Sequence, residues 1–256
     1  MFWRSKKRHY YIELYKVVDF QKASDFNITN FIEFLITHAE TTQQLKVTRI
    51  DLNYSNLVFH SINSLRKYEN SERNICYAFV EYDVSEGTTY TTVDNFMLNY
   101  TSKEHRPKYK ALDIGVSIDQ EVIQRPDVIG LVDELVKEFQ LEYGSIHLYR
   151  SDKFYGNTKV RHGIFSFSTL NNKDDLLWSN NQQSLRNGFI KKLYYINYLN
   201  KSQVNNKYLS PYLRSFGEMS EVNALIDRWT LTEKEYAYLI NSTDISSASI
   251  LTEAKD

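Results

Sequence analysis

This sequence is poor in three residues that shape small proteins: it holds one cysteine, three prolines and eight glycines among 256 positions. With Cys76 alone, neither an intramolecular disulfide nor a Cys-based zinc site can be assembled from this chain, which fits a reducing compartment. Cys76 falls inside an apolar, β-rich pattern, where a thiol is ordinarily buried and inert. The glycines are dispersed and form no glycine-rich turn between a strand and a helix, so the close backbone approach that phosphate binding needs has no obvious home. No Gly-x-Ser-x-Gly elbow, His-Glu-x-x-His pair or EF-hand spacing occurs either, and no cofactor or metal is expected.

Long hydrophobic runs are missing too. No window approaches 18 uncharged apolar residues, which argues against a membrane-spanning helix. Residues 1–9 carry the charge of a signal-peptide start, but Glu13, Lys16 and Asp19 interrupt the apolar stretch after it and no small-residue cleavage site appears, so a cytoplasmic protein is expected. A formal net charge of −1 argues against a chain built mainly to hold nucleic acid.

Tyrosine and phenylalanine are abundant, at 20 and 14 residues. A tyrosine joins a large apolar body to a polar tip, which suits half-buried sheet faces and protein interfaces alike. A chain of this length can bury about 70–75 % of the surface exposed when unfolded, a full core without staples.

The periodicities describe an α+β protein. Strands are expected at 10–20, 46–52, 75–84, 88–100, 111–119, 143–150 and 164–169. Ser85, Glu86 and Gly87 resemble a hairpin connection between the third and fourth of these. Leu112, Ile114, Val116 and Ile118 alternate with polar residues, the cleanest period-two pattern in the chain. Asn27 is placed to cap a helix carrying Phe31, Ile32, Leu35 and Ala39. Pro126 and Asp127 open a second helix, whose stripe is Val128, Leu131, Val132, Leu135, Val136 and Phe139. The run 151–163 reads as an exposed loop. Asn172 is placed to cap a third helix that Gly188 ends, and Gly188–Leu199, dense in aromatic and β-branched residues, reads as a buried strand. Further on, 202–213 is short and irregular, and 222–231 is apolar enough for a strand. Thr232 and Glu235 form a capping box with Leu231 and Tyr236 as its staple, and 241–256 is a weakly determined tail. A single domain is expected, mostly antiparallel as one sheet or two related sheets with helices on one face. Strand, helix, strand, strand recurs in each half, which fits two similar α+β halves meeting near 101–110.

Catalytic candidates are few. His147, Asp152, Arg161 and His162 lie around one strand end and loop, where two imidazoles and a carboxylate suit acid/base or metal chemistry; exposed loop charges are the ordinary alternative. Trp178 and Trp229 sit inside structured segments, as core tryptophans usually do.

A helix and Tyr-Gly strand at Asp127 to Arg150, a helix with a tryptophan, then Gly188-Phe189-Ile190-Lys191-Lys192-Leu193-Tyr194-Tyr195-Ile196-Asn197-Tyr198-Leu199, a short segment and Trp229-x-Leu231 before a capped helix together resemble the immunity protein 52 family and related bacterial type VI secretion immunity proteins. The similarity spans about residues 112–240. It implies a non-enzymatic protein that binds one cognate toxin, with nuclease-type toxins the family's usual partners, and that contacts neither nucleic acid nor membrane directly. It carries over no toxin-binding residue. Asp174, Asp175 and the loop around Asp152 and Tyr155 are the candidates for meeting a basic toxin cleft, the acids supplying local negative charge. An enzyme with its site around His147, Asp152 and His162, or a phage-type structural interaction protein, is the alternative, and the oligomeric state is open.

Overall fold

The computed structural model describes residues 8–19, 27–52, 58–69, 77–84, 87–95, 109–119, 125–150, 159–161, 167–169, 177 and 181–251. The chain divides into two compact units, residues 1–148 and 149–256, and its architecture is α+β with antiparallel sheets. Residues 101–108, within the stretch where a sub-division is expected, lie outside the described residues, as do Cys76 and Trp178.

The first unit contains β1 (Arg8–Asp19), α1 (Ile28–Thr42), β2 (Lys46–Leu52), β3 (Val58–Phe59), α2 (Ile62–Glu69), β4 (Tyr77–Val84), β5 (Gly87–Asn95), β6 (Tyr109–Asp119) and α3 (Arg125–Glu138), with β7 (Tyr143–Arg150) at its end. Its strand order is β7-β1-β6-β5-β4-β2-β3, and the pairings from β1 through β3 are antiparallel. Because opposite residues of paired strands share a face, the register carries one row from Ile12 through Val116, Val93 and Ala78 to Leu52. Ile12, Val116, Ala78 and Leu52 are fully buried, which makes this the core face.

Two amphipathic helices supply matching stripes. On α1 they are Phe31, Ile32, Leu35, Ile36 and Ala39; on α3, Val128, Leu131, Val132, Leu135 and Val136. The helices lie side by side, since the Phe139 ring is 5.1 Å from Phe31 and 5.8 Å from Phe34 and His38 Nδ1 is 3.3 Å from the Glu134 carboxylate. Asn27 caps α1 as expected, its side chain accepting from the amides of Thr29 and Asn30.

The second unit holds a short antiparallel pair, β8 (Lys159–Arg161) with β9 (Phe167–Thr169), so the loop expected at 151–163 contains a strand. A 3-10 turn at Gln182–Leu185 leads to β10 (Ile196–Asn200), α4 (Lys201–Val204), α5 (Ser210–Ser215), β11 (Glu218–Glu221), β12 (Ile226–Thr230), α6 (Glu233–Leu239) and α7 (Thr243–Ala248). β10, β12 and β11 form an antiparallel sheet in that order.

Two expectations are corrected here. The buried strand expected over 188–199 is a strand only from Ile196; residues before it run irregularly, touching a neighbour through one parallel bridge between Ile190 and Ser249. That bridge also corrects the tail. Ile190 donates to Ala248 O, and Ile250 and Leu251 donate to the carbonyls of Ile190 and Lys191, while Ile245 and Ala248 are buried. The chain is therefore packed through residue 251.

Candidate functional site

In the second unit, polar side chains take over where regular ladders stop. Gly188 has φ +89°, and a Cβ there would stand 2.7 Å from Ser202 O, so only glycine fits this close turn. Next to it, Gln203 Nε2 donates to Phe189 O and Asn206 Nδ2 to Gly188 O, while Asn200 Nδ2 donates to Leu185 O. Asn200 and Gln203 also cap α4 reciprocally. The fully buried Asn197 closes the turn before β10, accepting from Tyr194 N at 3.0 Å and donating to Tyr194 O at 2.7 Å. The 188–199 stretch is thus a scaffold clamped by amides, and Lys191 and Lys192 within it are half-buried.

The same logic fixes Trp229, which is fully buried and donates from Nε1 to Phe216 O at 2.8 Å. The chain turns over it at Gly217, φ +68°, where a Cβ would lie 2.5 Å from Thr230 O. The amide of Gly217 donates to Glu235 Oε1, and Glu235 Oε2 accepts from both the amide and hydroxyl of Thr232. These bonds, the Gly217 amide first and then the amide and hydroxyl of Thr232, hold the Glu235 carboxyl below the ordinary glutamate range. The capping box thus does a second job: it ties α6 to the turn over the tryptophan.

That turn aims aromatic rings outward. Phe216 stacks between Tyr212 and Tyr238, at centroid separations of 6.2 and 5.4 Å, and Tyr238 is 65 % exposed. The Tyr212 hydroxyl donates to Asp244 and accepts from Ser242, so the first ring is held at both its face and its tip. Beside it, Tyr195 and Tyr236 stack at 4.1 Å. An ordered, partly exposed aromatic cluster is the kind of surface that anchors a protein partner. Sequence reading missed it because its rings come from three short segments, α5, the turn after it and α6, whose juxtaposition no periodicity announces.

The candidates read from the sequence fare differently. Asp152, Tyr155, Asp174 and Asp175 all lie outside the described residues, as do Asp152 and His162 of the acid/base set. Of the remaining two, His147 is on β7 and Arg161 on β8. Trp229 is a core tryptophan. On β1 and β7, Glu13 and Ser145 are buried, with exposures of 7 % and 1 %; a serine so enclosed cannot reach a substrate.

Among the described residues no group of three or more His, Cys, Asp or Glu side chains could hold a metal ion, and no helix is long and apolar enough to cross a membrane. A cavity lined by Lys192, Leu193, Ile240, Ile245 and Ser249 measures about 20 Å³, room for about one water.

No family model matches the chain and no curated protein does. Its fold is similar to that of the Pseudomonas aeruginosa T6SS protein PA0821, with a TM-score of 0.50 and 10 % sequence identity, over 97 % of this chain and 76 % of that one. At that identity the likeness is one of fold.

Proposed function

We propose that this chain is an immunity protein: a non-enzymatic inhibitor that binds a cognate bacterial toxin of a type VI secretion or other polymorphic toxin system and occludes its active site. The observation that carries the reading is the fold shared, along 97 % of the chain, with a protein described as belonging to such a secretion system. The sequence resemblance over about 112–240 points the same way. Its marker stretch, 188–199, is clamped scaffold, which suits a family signature that preserves a frame while the binding surface lies elsewhere. An inhibitor needs such a rigid frame and a few aromatic anchors, and the Tyr212–Phe216–Tyr238 stack offers both together. The partner is a protein toxin, met in the cytoplasm of the cell that makes the inhibitor.

Expression of the neighbouring gene's product as the candidate toxin, with and without the chain, tests the proposal. The expected result is restored growth together with a stable complex of the two purified proteins. Unrelieved lethality with no complex would overturn it.

A further inference from the structure

We infer that the Tyr212–Phe216–Tyr238 stack, with the acidic strand β11 beside it, is the surface that docks the toxin, and that the toxin presents a basic patch to it. The inference rests on the immunity reading above and adds the place and the chemistry of the contact.

Three observations converge. The rings are already ordered by mutual stacking and by the Tyr212 bonds to Asp244 and Ser242, so little side-chain freedom is left to lose on binding. The outermost ring, Tyr238, is 65 % exposed, leaving a large amphipathic side chain available to a pocket on a partner. The third observation is charge. Residues 210–251 carry six carboxylates, Glu218, Glu221, Asp227, Glu233, Glu235 and Asp244, against three cations, Arg214, Arg228 and Lys234, and Lys201, outside that run, pairs with Asp227 at 2.7 Å, which leaves five against three. The segments that carry the exposed aromatics are therefore net acidic, with Glu218 and Glu221 exposed on β11 and Asp244 against the Tyr212 hydroxyl.

That imbalance selects the occupant. A second copy docking through the same patch would set carboxylates against carboxylates, and the phosphates of nucleic acid or an anionic membrane meet the same repulsion. A basic protein surface is attracted, and steering of this kind speeds encounter. Glu218 and Glu221, exposed at the two ends of β11, stand on the strand at the end of the sheet order, where charges also discourage strand addition by another chain.

The test measures binding of the full-length chain to the adjacent toxin in catalytically inactive form. Tyr238→Ala is expected to weaken the dissociation constant by about 30-fold, the scale of an aromatic hot spot. The double variant Glu218→Lys/Glu221→Lys is expected to slow association about tenfold and to flatten its salt dependence. Lys137→Ala, exposed on α3, serves as the unaffected control, and thermal melts establish that each variant is folded. If the wild type binds and neutralises the toxin while both variants bind equally well, the docking surface is wrong and the immunity reading stands. If the wild type does not bind, both fall. Self-association in sedimentation that Tyr238→Ala abolishes would overturn the inference in favour of a second copy.

Discussion

The two units satisfy their buried backbone in different ways. In the first, long strands pair residue by residue, as β1 does with β6 over eleven positions, and apolar side chains fill the space between sheet and helices. In the second, strands are three to five residues long, and much of the closure falls to Asn197, Asn200, Gln203, Asn206 and Glu235, each bonding the main chain of another segment or turn. The difference concerns what a mutation removes. Trimming an apolar side chain from a ladder leaves its hydrogen bonds intact, whereas removing an amide clamp strands donors and acceptors that water cannot reach.

The largest effect that would sharpen this contrast is at Trp229, where packing and clamp coincide. Trp229→Ala is expected to cost about 3–5 kcal/mol and to release the Phe216 carbonyl, with loss of amide-exchange protection across β10 and β12. A melt unchanged within about 1 kcal/mol would show that the tryptophan organises far less than its burial indicates.

Next comes a matched pair. Asn197→Ala in the second unit and Ile12→Val in the first both alter a fully buried position. The first leaves the amide and carbonyl of Tyr194 without their partner and is expected to cost about 2–4 kcal/mol; the second removes one methyl group, about 1 kcal/mol. Equal losses in denaturant titrations would break the comparison.

A smaller, pH-dependent difference arises at Glu235. Its carboxyl is held below the ordinary range by the Gly217 amide and by Thr232, so the folded state favours the ionised form. The stability this adds is fully present above the unfolded glutamate value, about 4.3, and is lost as pH falls through the lower folded value. Acidification below about pH 4 is expected to loosen the turn at Gly217, and Glu235→Gln to flatten that part of the stability profile; identical acid profiles for variant and wild type would remove Glu235 from the account.

The contrast also explains what the sequence made legible. Periodicity located β2 to the residue, the helical stripes of α1 and α3, and the apolar phase of β6, because each buries a repeating face. The faces of β2 do not follow from alternation: strict period two would put Val47 and Ile50 on opposite faces, yet both are buried, because the register slips between Val47 and Arg49 and a bulge re-aims the following side chains. In the second unit the Thr232–Glu235 box was readable, since capping is local. The Asn and Gln clamps were not, since their partners are remote: Gln203 bonds Phe189 fourteen residues away and Gly217 bonds Glu235 eighteen away. The aromatic stack was invisible for the same reason, while the candidate residues chosen by charge, Asp152, Tyr155, Asp174 and Asp175, fall outside the described residues.

The scarcity of glycine leaves its own trace in the first unit, where both long helices end on glutamine in the left-handed conformation, Gln44 at φ +56° and Gln140 at φ +50°. After each, the next residue reaches back over the end, Leu45 N to Ala39 O and Leu141 N to Val136 O, the geometry in which glycine is usual. A side chain there crowds the following carbonyl at a cost of about 1–2 kcal/mol, partly offset because glycine has more freedom to lose on folding. Gln44→Gly and Gln140→Gly are therefore each expected to stabilise the protein by about 0.5 kcal/mol, and, being far apart in sequence with separate partners, to add in the double variant. The second unit already has glycine at its positive-φ turns, Gly188 and Gly217, so alanine there should act in the opposite sense and more strongly. A double glycine variant that melts lower than wild type would show that the glutamine side chains make contacts worth more than the strain they impose.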